Sequence, residues 1–170
     1  MGKKRLTFGL IGAGGIAKSQ HLPNFARMRH AELRTVCDLR GDLAEAMRLK
    51  YGLPLAADDS AAVLDDPLID AVLIATKPDT HAELTIRALE HGKHVYVEKP
   101  LAETPDICRS VADAQARAGK RVAVGFNRRF APAYREARRL LAAHGGARNV
   151  FYRLADAYGL EGGWGSAFPP

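Results

Sequence analysis

Short apolar runs alternate along this chain with longer segments in which apolar residues recur at helical spacing. The runs contain few charged residues and cover 6–11, 33–37, 55–57, 71–75, 94–97 and 122–124. Strands that are buried on both faces have this composition, and such strands are typical of a parallel sheet. The pattern therefore predicts a six-stranded parallel sheet.

The segments between the runs predict helices, at about 15–28, 42–50, 59–64, 79–91 and 104–118. Thr104 and Pro105 are suited to begin the last of these, and Gly119 is suited to end it. Asp79 or Thr80 is expected to cap the helix before it. Strands and helices that alternate in this way predict an α/β fold, and right-handed crossovers make it a doubly wound parallel sheet.

The pattern changes after residue 126. A basic segment at about 130–143 predicts one helix, 149–158 alternates as a single strand does, and a glycine-rich tail follows. We therefore divide the chain into a first domain at 1–126 and a different segment at 127–170.

Length, charge and cysteine content narrow the class of protein. The 170 residues suit one full domain, and two cysteines without a nearby partner favour a reduced, cytoplasmic protein without a metal site. Residues 3–17 have the outline of a signal peptide, but their glycines suit a nucleotide-binding turn better. No apolar stretch reaches the roughly 20 residues of a membrane span.

The net charge of +6 raises the question of an anionic partner. Five arginines near the C-terminal end, at 128, 129, 135, 138 and 139, would be the residues that bind nucleic acid. The last three fall on the polar side of the predicted helix, where solvent exposure explains them. Nucleic acid therefore ranks below a small-molecule ligand.

A glycine-rich turn joins the first strand to the first helix: Gly12-Ala13-Gly14-Gly15-Ile16-Ala17. Gly12 permits the tight turn, Gly14 lets backbone approach a phosphate, and Ala17 allows close packing of helix and sheet. The N–H groups of Gly15 and Ile16 begin the helix, where its dipole favours an anion. The turn predicts a dinucleotide pyrophosphate site, and a glycine turn without a ligand is the alternative.

Asp38 ends the second strand about 20 residues beyond this turn, where a carboxylate binds the adenosine ribose. Its charge opposes a 2′-phosphate, so NAD is the predicted cofactor. Arg40 can instead stack on adenine or pair with that phosphate, which leaves NADP open. An ordinary turn aspartate is the alternative.

Five segments resemble the Gfo/Idh/MocA oxidoreductases, which include glucose-fructose oxidoreductase and inositol dehydrogenase. They are Ile11-Gly12-Ala13-Gly14-Gly15-Ile16-Ala17, Val36-Cys37-Asp38, Ile74-Ala75-Thr76-Lys77-Pro78-Asp79-Thr80-His81, Gly92-Lys93-His94-Val95-Tyr96-Val97-Glu98-Lys99-Pro100 and Gly125-Phe126-Asn127-Arg128-Arg129-Phe130. The resemblance implies a Rossmann-type NAD(P)-binding domain that transfers hydride between a nicotinamide cofactor and a sugar, polyol or related carbonyl compound.

The same resemblance implies roles for particular residues. Lys99 would be both catalytic and cofactor-binding, Glu98 would help to seat the nicotinamide end, and Pro100 would set the backbone bend that carries Lys99, often through a cis bond. The remaining cofactor contacts would be Thr76, Pro78, His81 and Asn127. A helix cap is an equally good interpretation of His81, and Lys77 departs from the proline common at its position.

In the resembled family an α+β second domain follows and supplies an Asp-x-x-x-His motif, which this sequence lacks. Residues 127–170 are then a connecting helix and a truncated remnant of that domain, and turnover is expected to be very low. A non-catalytic dinucleotide-binding or scaffolding module is the alternative function. The lone strand at 149–158 would need a partner, which suggests a homo-oligomer.

Overall fold

Six parallel strands form one sheet in the computed structural model, which describes residues 5–146, 149 and 151. The strands are β1 (Leu6–Ile11), β2 (Ala31–Cys37), β3 (Leu55–Ala57), β4 (Ala71–Ile74), β5 (His94–Val97) and β6 (Val122–Val124). Their order across the sheet is β3-β2-β1-β4-β5-β6, and all neighbouring pairs are parallel. The predicted parallel sheet is confirmed.

The helices alternate with these strands as expected. They are α1 (Leu22–Phe25), α2 (Gly41–Tyr51), α3 (Ala61–Leu64), α4 (His81–Glu90), α5 (Pro105–Ala118) and α6 (Pro132–Ala143). Single 3₁₀ turns cover Pro78–Thr80 and Asn127–Phe130. At the start of α5 the Thr104 hydroxyl accepts a hydrogen bond from the N–H of Ile107, as its sequence predicts.

The first helical segment differs from the regular helix predicted at 15–28. A π-helical segment, Ala17–His21, leads directly into α1, and the Leu22 N–H bonds to the Ala17 carbonyl five residues back. Pro23 follows at once and has no N–H with which to continue an α-helical ladder. The segment is therefore wider and shorter than the helical spacing suggested.

Helices cover both faces of the sheet, as a doubly wound fold requires. On one face β-strand residues pack with α3, α4 and α5 through side chains such as Leu64, Leu89 and Ala114. On the other face Leu10, Val36 and Leu73 pack with α1 and α2, including Leu22. Strands that are covered on both sides explain the uninterrupted apolar runs.

All six strands end in one row, and Ala57, the last residue of β3, is in register with Cys37. Ile11 is in register with Cys37 and with Ile74, Ile74 with Val97, and Val97 with Val124. The residues that follow these strand ends therefore emerge along a single edge of the sheet. The strand order reverses between β1 and β4, and open α/β sheets bind their ligands beside such a reversal.

The chain divides into two compact units, and the second begins at Asn127. Within the second unit, the Asn127–Phe130 turn and α6 have no buried residues. The predicted strand at 149–158 lies almost entirely outside the described residues. Among the described residues, no helix has both the length and the apolar character to cross a membrane.

Candidate functional site

The residues that follow the strand ends carry the predicted chemistry. Backbone N–H groups of the next residues continue the ladder: Gly12 bonds to Cys37, Ala75 to Ile11, Glu98 to Ile74 and Gly125 to Val97. This arrangement aligns the glycine turn, Asp38, the segment after β4 and Glu98 at one edge. The sheet thus brings together residues that are far apart in sequence.

Gly12 and Gly14 differ in their surroundings. Gly12 has φ of +95°, and a Cβ there would lie 2.5 Å from the carbonyl oxygen of Ala75, so the strand segment after β4 excludes a side chain. A Cβ on Gly14, or on the exposed Gly15, meets no atom within 4 Å. The surface beside Gly14 and Gly15 is therefore open backbone, which fits a bound pyrophosphate.

Asp38 contacts the glycine turn directly. Its Oδ2 accepts a hydrogen bond of 2.8 Å from the N–H of Ala13, and its Oδ1 accepts one of 3.1 Å from the N–H of Arg40. The Arg40 Nε lies 3.4 Å from the same Oδ1, and the guanidinium is largely exposed. Because a carboxylate has about four acceptor positions, Asp38 can hold the turn and still accept from a ribose hydroxyl.

The segment after β4 is held by its own hydroxyl groups. Thr76 Oγ1 and Thr80 Oγ1 lie 2.7 Å apart, and Thr80 donates to the carbonyl of Lys77 at 2.9 Å. Thr80 occupies the N-cap position of α4, as predicted, but its side chain makes no capping hydrogen bond. Its hydroxyl instead shapes the turn that contains Pro78.

The structure changes the interpretation of His81. Its side chain is 1% exposed, its Nδ1 lies 2.7 Å from the Pro100 carbonyl oxygen, and its Nε2 lies 3.2 Å from that of Thr76. Both partners are carbonyl oxygens, which only accept, so an N–H on either ring nitrogen bonds to one of the two loops. The ring is therefore positioned to join two loops of the edge, and it offers a cofactor no accessible face.

Lys99 lies exposed at the edge, between two anchored residues. The Glu98 carboxylate accepts at Oε1 from His21 Nε2 over 2.8 Å and at Oε2 from the Lys99 backbone N–H over 3.3 Å. The carbonyl of Pro100 is held by His81, and the Lys99–Pro100 bond is cis, as the resemblance implied. Glu98-Lys99-Pro100 is thus fixed at both ends.

Charge and burial shift the pKa values of Glu98 and of Tyr96. The hydrogen bond from His21 holds the pKa of the Glu98 carboxyl below its usual range, although burial opposes that shift. Burial, assisted by the Glu98 charge, raises the pKa of Tyr96. The edge therefore presents an ionised carboxylate beside a protonated phenol. Cys37 is different, because burial and Asp38 raise the pKa of its thiol to about 12 and leave it unreactive.

Sequence reasoning missed His21 and the bond from Ala13 to Asp38. The His21 ring lies edge-on to Tyr96, with 5.8 Å between centroids, as well as against Glu98. A histidine two residues before a proline in the first helical segment was the available signal. Helical periodicity alone does not show that a π-helical turn aims that residue at β5.

The roles predicted for several other site residues remain predictions. Ile16 is half-buried and packs against the core beneath the glycine turn, and Pro78 begins the turn before α4. Asn127 belongs to the second unit and is exposed within its 3₁₀ turn.

This topology and this edge define a dinucleotide-binding Rossmann unit. The comparison with protein families agrees and is more specific. The chain belongs to the Gfo/Idh/MocA oxidoreductase family with an NAD-binding Rossmann fold, whose model matches residues 6–126. The resemblance proposed from five sequence segments is confirmed.

The relatives of this chain include a glucoside dehydrogenase and an inositol dehydrogenase. The chain is 39% identical over 135 residues to D-glucoside 3-dehydrogenase of Escherichia coli, covering 74% of this chain and 36% of that protein. It is 36% identical over 123 residues to scyllo-inositol 2-dehydrogenase (NAD(+)) of Bacillus subtilis, covering 72% and 36%. The chain thus spans little more than a third of the length of these relatives.

A solved structure shows the same fold. Scyllo-inositol dehydrogenase from Lactobacillus casei, with NAD(H) and scyllo-inositol bound, superposes with a TM-score of 0.78 and is 26% identical. The match covers 84% of this chain and 42% of that one.

Proposed function

We propose that this chain is the cofactor-binding part of an NAD-dependent oxidoreductase that acts on a sugar, a polyol or a related hydroxy or carbonyl compound. The observation that carries the proposal is the single edge shared by the glycine turn, Asp38 and Glu98-Lys99-Pro100. The first two suit the adenosine half of a dinucleotide, and the third suits the nicotinamide half. They lie on opposite sides of the strand-order reversal, as a dinucleotide that crosses it requires.

The cofactor would be held mainly by backbone and carboxylate groups. The open backbone at Gly14 and Gly15 suits the pyrophosphate, while Asp38 suits the ribose hydroxyls and disfavours a 2′-phosphate. NAD is the favoured cofactor on this basis. When bound, its nicotinamide ring accepts or donates a hydride.

Lys99 would donate or accept the proton that is transferred together with that hydride. In reduction, its ammonium donates a hydrogen bond and then a proton from Nζ to the carbonyl oxygen as negative charge develops there. In oxidation, the neutral amine at Nζ takes the proton from the substrate hydroxyl. Anchoring of Glu98 and Pro100 on either side would limit the positions that Lys99 can adopt.

The test combines calorimetry with a hydride-transfer assay. NADH should bind the wild-type chain and should still bind a Lys99→Met variant, in which the glycine turn and Asp38 are unchanged. Turnover of cyclic polyols and glucosides, followed by NADH absorbance, should fall at least about 100-fold in Lys99→Met if the wild-type chain turns over. The matched control is Lys120→Met. Lys120 lies beside Gly92, the glycine that precedes β5.

The outcomes separate the alternatives. Absence of NADH binding to the wild-type chain would reject the proposal. NADH binding without turnover of any tested polyol or glucoside would favour a non-catalytic dinucleotide-binding module. Equal turnover by wild type and Lys99→Met would remove the role given to Lys99.

We also propose a cytoplasmic location, which rests on two cysteines that are both free, Cys37 buried and Cys108 partly buried. Cell fractionation checks it.

A further inference from the structure

One histidine outside the predicted site has the contacts of a site residue. His21 lies at the end of the π-helical segment, its ring is nearly buried, and its Nε2 lies 2.8 Å from Glu98 Oε1. The two side chains are only 12% and 14% exposed. A carboxylate bond this short and this shielded from water holds its partner in one orientation.

The bond from His21 restrains Lys99 as well as the Glu98 carboxylate. The other oxygen of Glu98 accepts from the backbone N–H of Lys99, so restraint on Glu98 is passed to the residue that carries the reactive amine. Tyr96 packs edge-on against the same imidazole ring and limits its rotation. A π-helical turn places His21 there, and such turns are frequent at functional sites.

We propose that His21 is a positioning residue for the nicotinamide half of the site, acting through the carboxylate of Glu98. This inference rests on the proposed function, since it requires that a nicotinamide dinucleotide binds at the edge. His21 itself need not touch the cofactor. It keeps Glu98 ionised and oriented as an acceptor, and it holds the start of the Lys99 loop.

The experiment separates the nicotinamide ring from the rest of the dinucleotide. NADH and ADP-ribose, which lacks the nicotinamide, are titrated into the wild-type chain, His21→Leu and His21→Gln. His21→Leu should weaken NADH about tenfold and leave ADP-ribose within about twofold, because a charge-assisted hydrogen bond is lost only on the nicotinamide side. His21→Gln keeps an N–H donor near Glu98 and should restore most of the NADH affinity.

A matched control comes from a similar pair elsewhere in the same unit. His91 Nε2 lies 3.2 Å from Asp65 Oδ1, outside the row of strand ends. His91→Leu should leave the affinity for both ligands unchanged. A double-mutant cycle then tests the route: in a Glu98→Gln background, His21→Leu should add little further loss of NADH affinity.

Each outcome is decisive. Equal weakening of NADH and ADP-ribose by His21→Leu, unchanged NADH affinity, or full additivity with Glu98→Gln would overturn the inference while leaving NAD binding established. If His21→Leu does not fold, failure of His21→Gln to keep NADH affinity near that of the wild type would overturn it. A wild-type chain that binds neither ligand would overturn the proposed function, and the inference would fall with it.

Discussion

Gly12 and Gly14 differ in what occupies the space where a side chain would lie. Backbone of the segment after β4 occupies the space beside Gly12, at 2.5 Å from the position of a Cβ, whereas open space surrounds that of Gly14. One glycine is required by the fold and the other is available to a ligand. The same motif therefore predicts two separable effects.

Gly14→Val should leave the free energy of unfolding nearly unchanged and reduce NADH affinity at least about 100-fold, because the new side chain fills the pyrophosphate position. Gly12→Ala should instead destabilise the chain by more than about 2 kcal/mol, since its φ is positive and backbone blocks the Cβ. Denaturant unfolding and calorimetry on both variants check this. Unchanged NADH affinity in Gly14→Val would show that the dinucleotide does not lie on this turn.

Asp38 combines a structural bond with a charge, and Asp38→Asn separates them. The asparagine Oδ1 can still accept from the Ala13 N–H, while the charge that repels a 2′-phosphate is lost. The ratio of NADP to NAD affinity should rise about tenfold, with Arg40 then free to pair with the phosphate. Asp38→Ala should weaken both cofactors, because the turn loses its acceptor. An unchanged ratio in Asp38→Asn would mean that this charge does not select the cofactor.

At the scale of elements, the sequence predicted the strands best, because strands buried on both faces have little freedom in composition. Helix ends with specific chemistry, such as Thr104 before α5, were also predictable. The π-helical turn was not, since it depends on a local change in hydrogen bonding that apolar spacing does not encode. His21 and Asp38 acquired their contacts only when separate strands came together.

Lys93 makes a further contact between elements, and its residue type alone does not predict that contact. It immediately precedes β5 and is 6% exposed, and its Nζ donates to the carbonyls of Asp66 at 2.6 Å and Ile69 at 2.9 Å. It thereby secures the connection between α3 and β4. Lys93→Met leaves both carbonyls without this donor and should cost about 2–3 kcal/mol in denaturant unfolding. The exposed Lys18→Met is the control, and equal stability of the two variants would contradict this role.

The effect of Lys93 should also depend on pH. Burial lowers the pKa of the Lys93 ammonium in the folded chain below its usual value. In the pH window between the pKa of the folded chain and the pKa of the unfolded chain, the unfolded chain therefore binds more protons. The stability of the wild type relative to Lys93→Met should therefore increase as pH rises through that window toward about 10.4. Unfolding measured from neutral to alkaline pH checks the sign. A constant difference would mean that burial does not oppose the charge.

At the scale of the whole molecule, the predicted cofactor contacts are concentrated in the first unit. Gly14, Asp38, Glu98 and Lys99 all precede the division at Asn127. Asn127, which the sequence also predicts as a cofactor contact, belongs to the second unit. A net charge of +6 is a feature of the whole chain and does not by itself indicate a partner.

Removal of residues 149–170 should therefore leave NADH affinity within about threefold of the full chain, a change of less than 1 kcal/mol. The physical reason is that the glycine turn, Asp38 and the Glu98–His21 pair are held by bonds within the first unit. Calorimetry on the deletion and the full chain measures this. If the deletion alone abolishes NADH binding, residues 149–170 help to build the cofactor site, and the site is not confined to the first unit.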